Sequence, residues 1–403
     1  MAIMQDNEKL DKTLELFYNR FNKFNTKVLK ELGNIIKQFD GVSPSQAYQI
    51  SQELKLGYDL NKLLLELSQI SGKSIQDISK LFDKVAEENV NFAESYYKAK
   101  NQEFIKYEDN QQLQNLVESI KKQTNNTFIN IANSKNIGFT LKDNQGNITY
   151  KSIPEVYNDL IDESVYNVSI GVEDYQSAMR NTIKQLADSG IKIHEEKLGY
   201  KNGYNRRLDS SVRQDILTGL RQVNLDIQKQ IGEDFGADGV EISAHFPCAE
   251  DHLDIQGRQF FAKEGETLDH LIDRINGGLD RPIGEYNCRH FMFSIIKDVN
   301  LPSYTKSQLA RYRKGSLQEV NYKGKTYTKY EATQVQRQLE TAIRKQKDRQ
   351  IIARASGDKE EVGLAQQKIS QLTTEYNKFS RVANLDTYKN RISVSGYRPV
   401  KVN

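Results

Sequence analysis

The sequence predicts a mainly α-helical protein with a smaller α+β domain, and three observations carry that reading. Only 6 of the 403 residues are Pro, while helix-favouring Lys, Gln, Glu and Leu abound. Over residues 1–135 the apolar side chains recur at spacings of three and four, the stripe of amphipathic helices. Near Asn136 the pattern changes to short apolar runs separated by turn residues. The chain is polar, 37% hydrophobic and 28% charged with no Trp, yet its 16 Phe and 21 Tyr supply bulk for cores. No run of 18 apolar residues occurs, so no membrane-spanning helix is expected. The opening MAIMQDNEKL has no basic segment followed by an apolar one, so no secretory signal is expected either. Two Cys cannot build a disulfide framework, which fits assembly in a reducing cytoplasm.

The elements follow in order. Leu10, Leu14, Phe17, Phe21, Phe24, Val28, Ile35 and Phe39 mark a first long helix, stopped by Asp40-Gly41. Ser43-Pro44-Ser45-Gln46 offers an N-cap, a proline in the first turn and a capping-box glutamine. The second helix carries Leu54, Leu63 and Leu67 and is expected to break near Gly72, with Ser74 capping a third helix through Ile78, Phe82 and Val85. Together these predict an elongated N-terminal helical bundle. Gly138–Leu141 and Ile148–Tyr150 flank the turn-rich 143–147 and predict a β-hairpin. Helices over 154–165 and 170–189, a strand at 191–194, a long helix opened by Asp209-Ser210-Ser211 and a strand at 240–243 complete this stretch.

Residues 245–302 hold three of the six Pro, both Cys and four of the five His, and read as loop-rich with short strands. Beyond Pro302, Tyr322–Tyr327 predicts a tight turn between two extended pieces. Helices over 331–355 and 359–380, split by Ser356-Gly357-Asp358, predict a helical hairpin. The expected division is 1–135, a helical bundle; 136–300, an α+β core; and 301–403, a basic helical region.

The net charge of +3 conceals an asymmetry. Residues 301–403 hold 21 Lys/Arg against 9 Asp/Glu, leaving the rest of the chain acidic. Such a region suits an acidic protein surface or double-stranded DNA. Arg337, Arg344, Lys345, Lys347, Arg349 and Arg354, interleaved with apolar residues on one helix, are the candidate contacts. Without interleaved aromatics to stack on bases, sequence-independent backbone contact is the nucleic-acid mode they fit.

His245-x2-Cys248-x3-His252 with Cys288-x-His290 is the densest chemical constellation. Imidazole and thiolate are zinc ligands, and four of these five groups suffice for a tetrahedral site. Cys288 beside His252 or His290 also has the makings of a thiolate–imidazole pair, with Glu250, Asp251 or Asp254 to orient the ring. The opposing reading has the thiols buried and the histidines knitting loops through hydrogen bonds. Gly72-Lys73-Ser74 is no phosphate-binding loop, because Leu67 stands where that motif needs glycine.

Ser211–Gly219, Val240–His245, His252-x3-Gln256-Gly257, Asn287-Cys288-Arg289-His290 and Tyr330–Arg337 occur in an order that resembles the phage minor capsid protein 2 family, over roughly residues 150–400. That family is related to the Mu F-type head morphogenesis proteins. The resemblance implies a minor, non-enzymatic virion protein made in the host cytoplasm and carried in the capsid interior. Its implied partners are the portal and capsid proteins, and its implied role is in head assembly or DNA packaging and ejection. The alternative is a metal-dependent nuclease or an injected effector enzyme. Gln256, Gly257, Asn287 and Arg289 are then structural motif residues. The chain departs from the family twice: Ile255 replaces the usual Trp, and Cys248 stands where a small residue is usual. A metal, with zinc as the fitting cofactor, would accordingly rest on His245, His252, Cys288 and His290.

Overall fold

The computed structural model describes residues 7–99, 103–132, 135–143, 145–195, 204–284 and 288–401. It is 65% helical with a few small antiparallel sheets, as the mainly α plus α+β reading expects. The helices in the first third are α1 (Asn7–Gln38), α2 (Pro44–Lys55), α3 (Tyr58–Ala99) and α4 (Gln111–Ala132). The Ser43 capping box forms as expected, with its hydroxyl accepting from Gln46 N–H and Gln46 accepting from Ser43 N–H.

The expected break at Gly72 does not occur: α3 runs through it, and the chain instead turns at Gly57, where φ is +73°. Leu63, Leu67, Ser71, Ser74, Ile78, Phe82 and Val85 are all buried at spacings of three and four. Burial of this continuous stripe outweighs the ~1 kcal/mol that a mid-helix glycine costs. Ser74, expected as an N-cap, donates back to the Ile70 carbonyl at 2.8 Å inside the helix.

The remaining elements are β1 (Ile137–Lys142), β2 (Ile148–Ser152), α5 (Ile153–Ser169), α6 (Tyr175–Ser189), β3 (Lys192–Glu195), β4 (Tyr204–Arg207), α7 (Leu208–Phe235) and β5 (Gly239–Ile242). These are followed by β6 (Gln259–Phe261), α8 (Leu268–Gly277), β7 (Met292–Ile295), α9 (Lys306–Ser316), β8 (Val320–Tyr322), β9 (Lys325–Tyr327), α10 (Lys329–Ser356) and α11 (Lys359–Val382). The hairpin β1–β2 forms as expected, with Gly138 opposite Ser152. In the β8–β9 hairpin the two loop residues, Lys323 and Gly324, both take positive φ, 51° and 77°, as a type I′ turn requires. The strand β4 has no counterpart in the sequence reading. Asp209 does not cap α7 from outside; the helix begins one residue earlier, at Leu208.

The chain divides into two compact units, each drawn from three separated stretches. One takes Glu15–Ser74, Phe128–Val212 and Val335–Asn403. Within it the sheet has strand order β2-β1-β3-β4, and Phe21, Phe24, Phe39, Phe128, Phe139, Tyr157 and Phe379 are buried. A Cβ on Gly33 of α1 would lie 2.6 Å from Ala355 Cβ and 2.7 Å from the Ile352 carbonyl, so α1 and α10 approach at backbone distance.

The same unit buries an ion cluster. Asp209 pairs with Arg344 at 2.8 Å and with Arg207 at 3.4 Å; Arg207 also reaches Asp348 at 3.4 Å. Tyr18 hydroxyl accepts from Arg344 at 3.0 Å. Residues after α11 return over α1 and α11: Ser395 N–H donates to Asn22, the Ser395 carbonyl accepts from Thr26, and Tyr397 hydroxyl and Val400 N–H both donate to Gln366.

The second unit takes Met1–Leu14, Ile75–Thr127 and Arg213–Gln334. Its sheet has the order β6-β5-β7, all antiparallel. The buried cluster on it comprises Val240, Ile242, Leu268, Leu271, Ile275, Ile283, Cys288 and Met292. Ile255, standing in place of the usual Trp, is partly buried against this cluster.

Candidate metal centre

Strand pairing explains how residues some forty positions apart meet. β5 and β7 run antiparallel with Ile242 opposite Met292, so the chain leaving β5 and the chain entering β7 emerge at the same end. Beyond that register Ser243 N–H donates to the Phe291 carbonyl and Phe291 N–H donates to Ser243 Oγ, both at 2.8 Å. His245, Cys248 and His252 lie on the segment leaving β5, while Cys288 and His290 lie on the segment approaching β7. Cys248 N–H donates to Ser316 Oγ at 3.1 Å, tying the first segment to the end of α9.

Gln256 is buried, and its Oε1 accepts from His245 N–H at 3.1 Å. Gly257 follows with φ +68°, and a Cβ there would lie 2.3 Å from Leu309 Cδ2, so the turn admits only glycine. Arg289 is half-buried, and Asn287 lies outside the described residues.

Among the described residues the five His and Cys groups form two trios that share His290: His252 with Cys288, and His245 with Cys248. In the first, His252 Nδ1 lies 3.3 Å from His290 Nδ1, and Cys288 Sγ lies 3.5 Å and 3.4 Å from those two nitrogens. All three residues are at most 3% exposed. In the second, the Cys248 thiol donates to the Ala249 carbonyl at 3.2 Å, and its sulfur is 3.8 Å from His290 Nε2. The His245 ring packs on the His290 ring, centroids 4.3 Å apart. Of the four residues expected to share a metal, the structure therefore brings His252, Cys288 and His290 into one set and places His245 in the other.

The electrostatics differ sharply between neighbours. Burial pushes His245 down to about 4, helped by Arg289, and pushes His290 down to about 2, so both rings are neutral at pH 7. Burial pushes the Cys248 thiol up to about 12. For Cys288, burial acts upward, but the His252 hydrogen bond and the His290 N–H, 3.4 Å from its sulfur, prevail and lower it. For His252, burial acts downward, but the bonds to Cys288 and to the Arg281 carbonyl prevail and raise it. Asp251 lies 3.6 Å from His252 Nε2 and pairs with Arg281 at 3.0 Å, while Asp254 pairs with Arg313 and Glu250 is exposed. A cleft of about 330 Å³ reaches His290 and is lined also by Thr218, Arg221, Asn276 and Ile283.

Arg221 was missed by the sequence reading. It is 7% exposed with its Nε lacking a partner; burial pushes its guanidinium down to about 10, against the pull of Cys288. Nothing in α7's apolar stripe distinguishes it from an outward-facing arginine.

The six basic residues singled out on α10 are placed differently from a solvent-facing phosphate surface. Arg344 is in the buried ion cluster and Arg349 pairs with the buried Glu361. Lys347 Nζ donates to the Ile392 carbonyl and sits over the Tyr397 ring, and Arg354 donates to the Arg398 carbonyl. Arg337 and Lys345 are half-buried.

Among the described residues no helix is long and apolar enough to cross a membrane. Searches of curated proteins and of solved structures find no match. The family model for phage minor capsid protein 2 matches residues 6–380, taking in the β5–β7 site and most of both units, and the chain belongs to that family.

Proposed function

We propose that the protein is a minor component of the tailed-phage head, seated at the portal and the capsid interior, where it assists head assembly and the packaging or ejection of DNA. The observation supporting this reading is the reach of the family match, which extends into all six stretches that make up the two units. Quantitative mass spectrometry of purified virions and DNA-free procapsids is the test. The protein is expected in both, at far fewer copies than the major shell protein, and enriched where the portal is retained. Absence from both sinks the proposal.

A second reading, contact with duplex DNA, is favoured by one observation and moves away from α10. The exposed basic side chains Lys306, Arg311 and Lys314 lie on α9, and exposed Lys325 lies on β9 nearby in sequence. Such side chains suit phosphate contacts without base readout. Affinity of the full chain for a duplex fragment should fall steeply with salt. In Arg311→Glu with Lys314→Glu it should drop at least tenfold, at unchanged thermal stability. Salt-independent binding, or none at low salt, ends this reading.

A further inference from the structure

We propose that His252, Cys288 and His290 bind one zinc ion through Nδ1, Sγ and Nδ1, with Cys248 and His245 outside the ligand set. This stands apart from the virion role and rests on the side-chain geometry alone.

The hydrogen bonds around the two imidazoles fix where their lone pairs point. His252 Nε2 lies 2.7 Å from the Arg281 carbonyl, which can only accept, so Nε2 carries the hydrogen and Nδ1 presents a lone pair. His290 Nε2 faces Gln256 Oε1 at 3.5 Å, and that oxygen is identified by the His245 N–H that donates to it. The lone pair of His290 is thus also on Nδ1. Two nitrogen lone pairs then face each other at 3.3 Å, with a thiol sulfur about equally close to both. That arrangement is repulsive unless a cation lies among the three atoms. A metal ion or a proton are the two candidates.

The spacing selects the metal. Zinc bonds of about 2.0–2.1 Å to nitrogen and about 2.3 Å to sulfur, at tetrahedral angles, place ligands about 3.3 Å apart for N–N and about 3.5 Å for N–S. The observed 3.3, 3.4 and 3.5 Å are one face of that tetrahedron. The second coordination sphere also fits. The Arg281 carbonyl orients His252, the His290 N–H donates to Cys288 sulfur, and the Arg221 guanidinium favours the thiolate. Cys248 is excluded because its hydrogen is engaged with the Ala249 carbonyl and its sulfur approaches the protonated nitrogen of His290. The fourth position falls to water from the cleft that His290 lines.

The test uses the full chain, produced with added zinc and purified without chelators. Elemental analysis should give one zinc per chain, and cobalt exchanged into the site should show a thiolate-to-cobalt charge-transfer band. Cys248→Ser and His245→Ala should keep both signals, whereas Cys288→Ser should lose them. Should Cys288→Ser fail to fold, the first two variants still decide: loss of metal in either moves the ligands to the other trio and overturns the proposal. A wild-type protein that holds no zinc and stays silent with cobalt overturns it as well, leaving a shared proton between the rings.

Discussion

Asp209 and Asp348 are neighbours in one buried ion cluster, yet they should behave differently. Asp209 faces both Arg207 and Arg344, and these outweigh burial and hold its carboxyl below the usual range. Removing it by Asp209→Ala takes the paired carboxylate from buried Arg344 and leaves Arg207 with Asp348 at 3.4 Å, and should cost about 3–5 kcal/mol in chemical denaturation. Asp348 reaches Arg207 and Asn25 only at 3.4 Å, and burial together with Asp209 pushes it up to about 6, against the pull of Arg207 and Arg344. A raised carboxyl binds its proton in the native state before the unfolded one, so its contribution falls as pH rises from the usual carboxylate range to about 6. Asp348→Asn, which cannot ionise, should therefore gain about 1–3 kcal/mol on the wild type between pH 4 and pH 7. A constant difference across that range would refute the assignment. None of this cluster was legible in the sequence. Arg344 reads there as one more surface cation, because a charge count does not reveal that its partner lies on α7 and not in solvent. The His and Cys residues were legible as one constellation, but their division into two trios was not, since it is set by the non-local β5–β7 pairing.

Helices and turns were legible wherever the signal was local. The Ser43 box, the Gly357 stop and the Lys323-Gly324 turn all rest on residues within four positions of one another, whereas the turn at Gly57 reads in the sequence as helix. The glycines of α1 and α3 show where local reading fails. Gly72 resembles a stop but is a solvent-facing helix residue, and a methyl group added there would meet nothing within 4 Å, so Gly72→Ala should stabilise by about 0.5–1 kcal/mol. Gly33 gives no signal at all in the sequence, yet α10 lies so close to it that an added Cβ would collide with Ala355 and the Ile352 carbonyl. Gly33→Ala should destabilise by about 1–3 kcal/mol through overpacking. Thermal denaturation of the two variants checks both signs. Equal effects would mean that α10 can retreat from α1 without cost. The strand β4 escaped notice for a related reason: Tyr204-Asn205-Arg206-Arg207 has no alternating pattern and is a strand because β3 lies beside it.

At the scale of the molecule, the tail beyond α11 is a structural part of its unit. Ending the chain at Ile392 removes the bonds of Ser395, Tyr397 and Val400 and the burial of Val394, at a cost of about 2–4 kcal/mol. Urea unfolding should show an earlier midpoint; an unchanged one would mean that these bonds are lost in solution. The interleaving of the two units was out of reach of sequence pattern, which follows chain order while packing does not. It also sets an order of events during synthesis. Residues 15–74 cannot complete their unit until residues 335–403 have left the ribosome, and the whole 213–334 stretch is made in between. The side of α1 around Gly33, which packs on Ile352 and Ala355 of α10, is therefore completed only after that stretch is made. The unit built from residues 15–74, 128–212 and 335–403 is thus completed last, and a premature stop anywhere in α10 leaves it half-built.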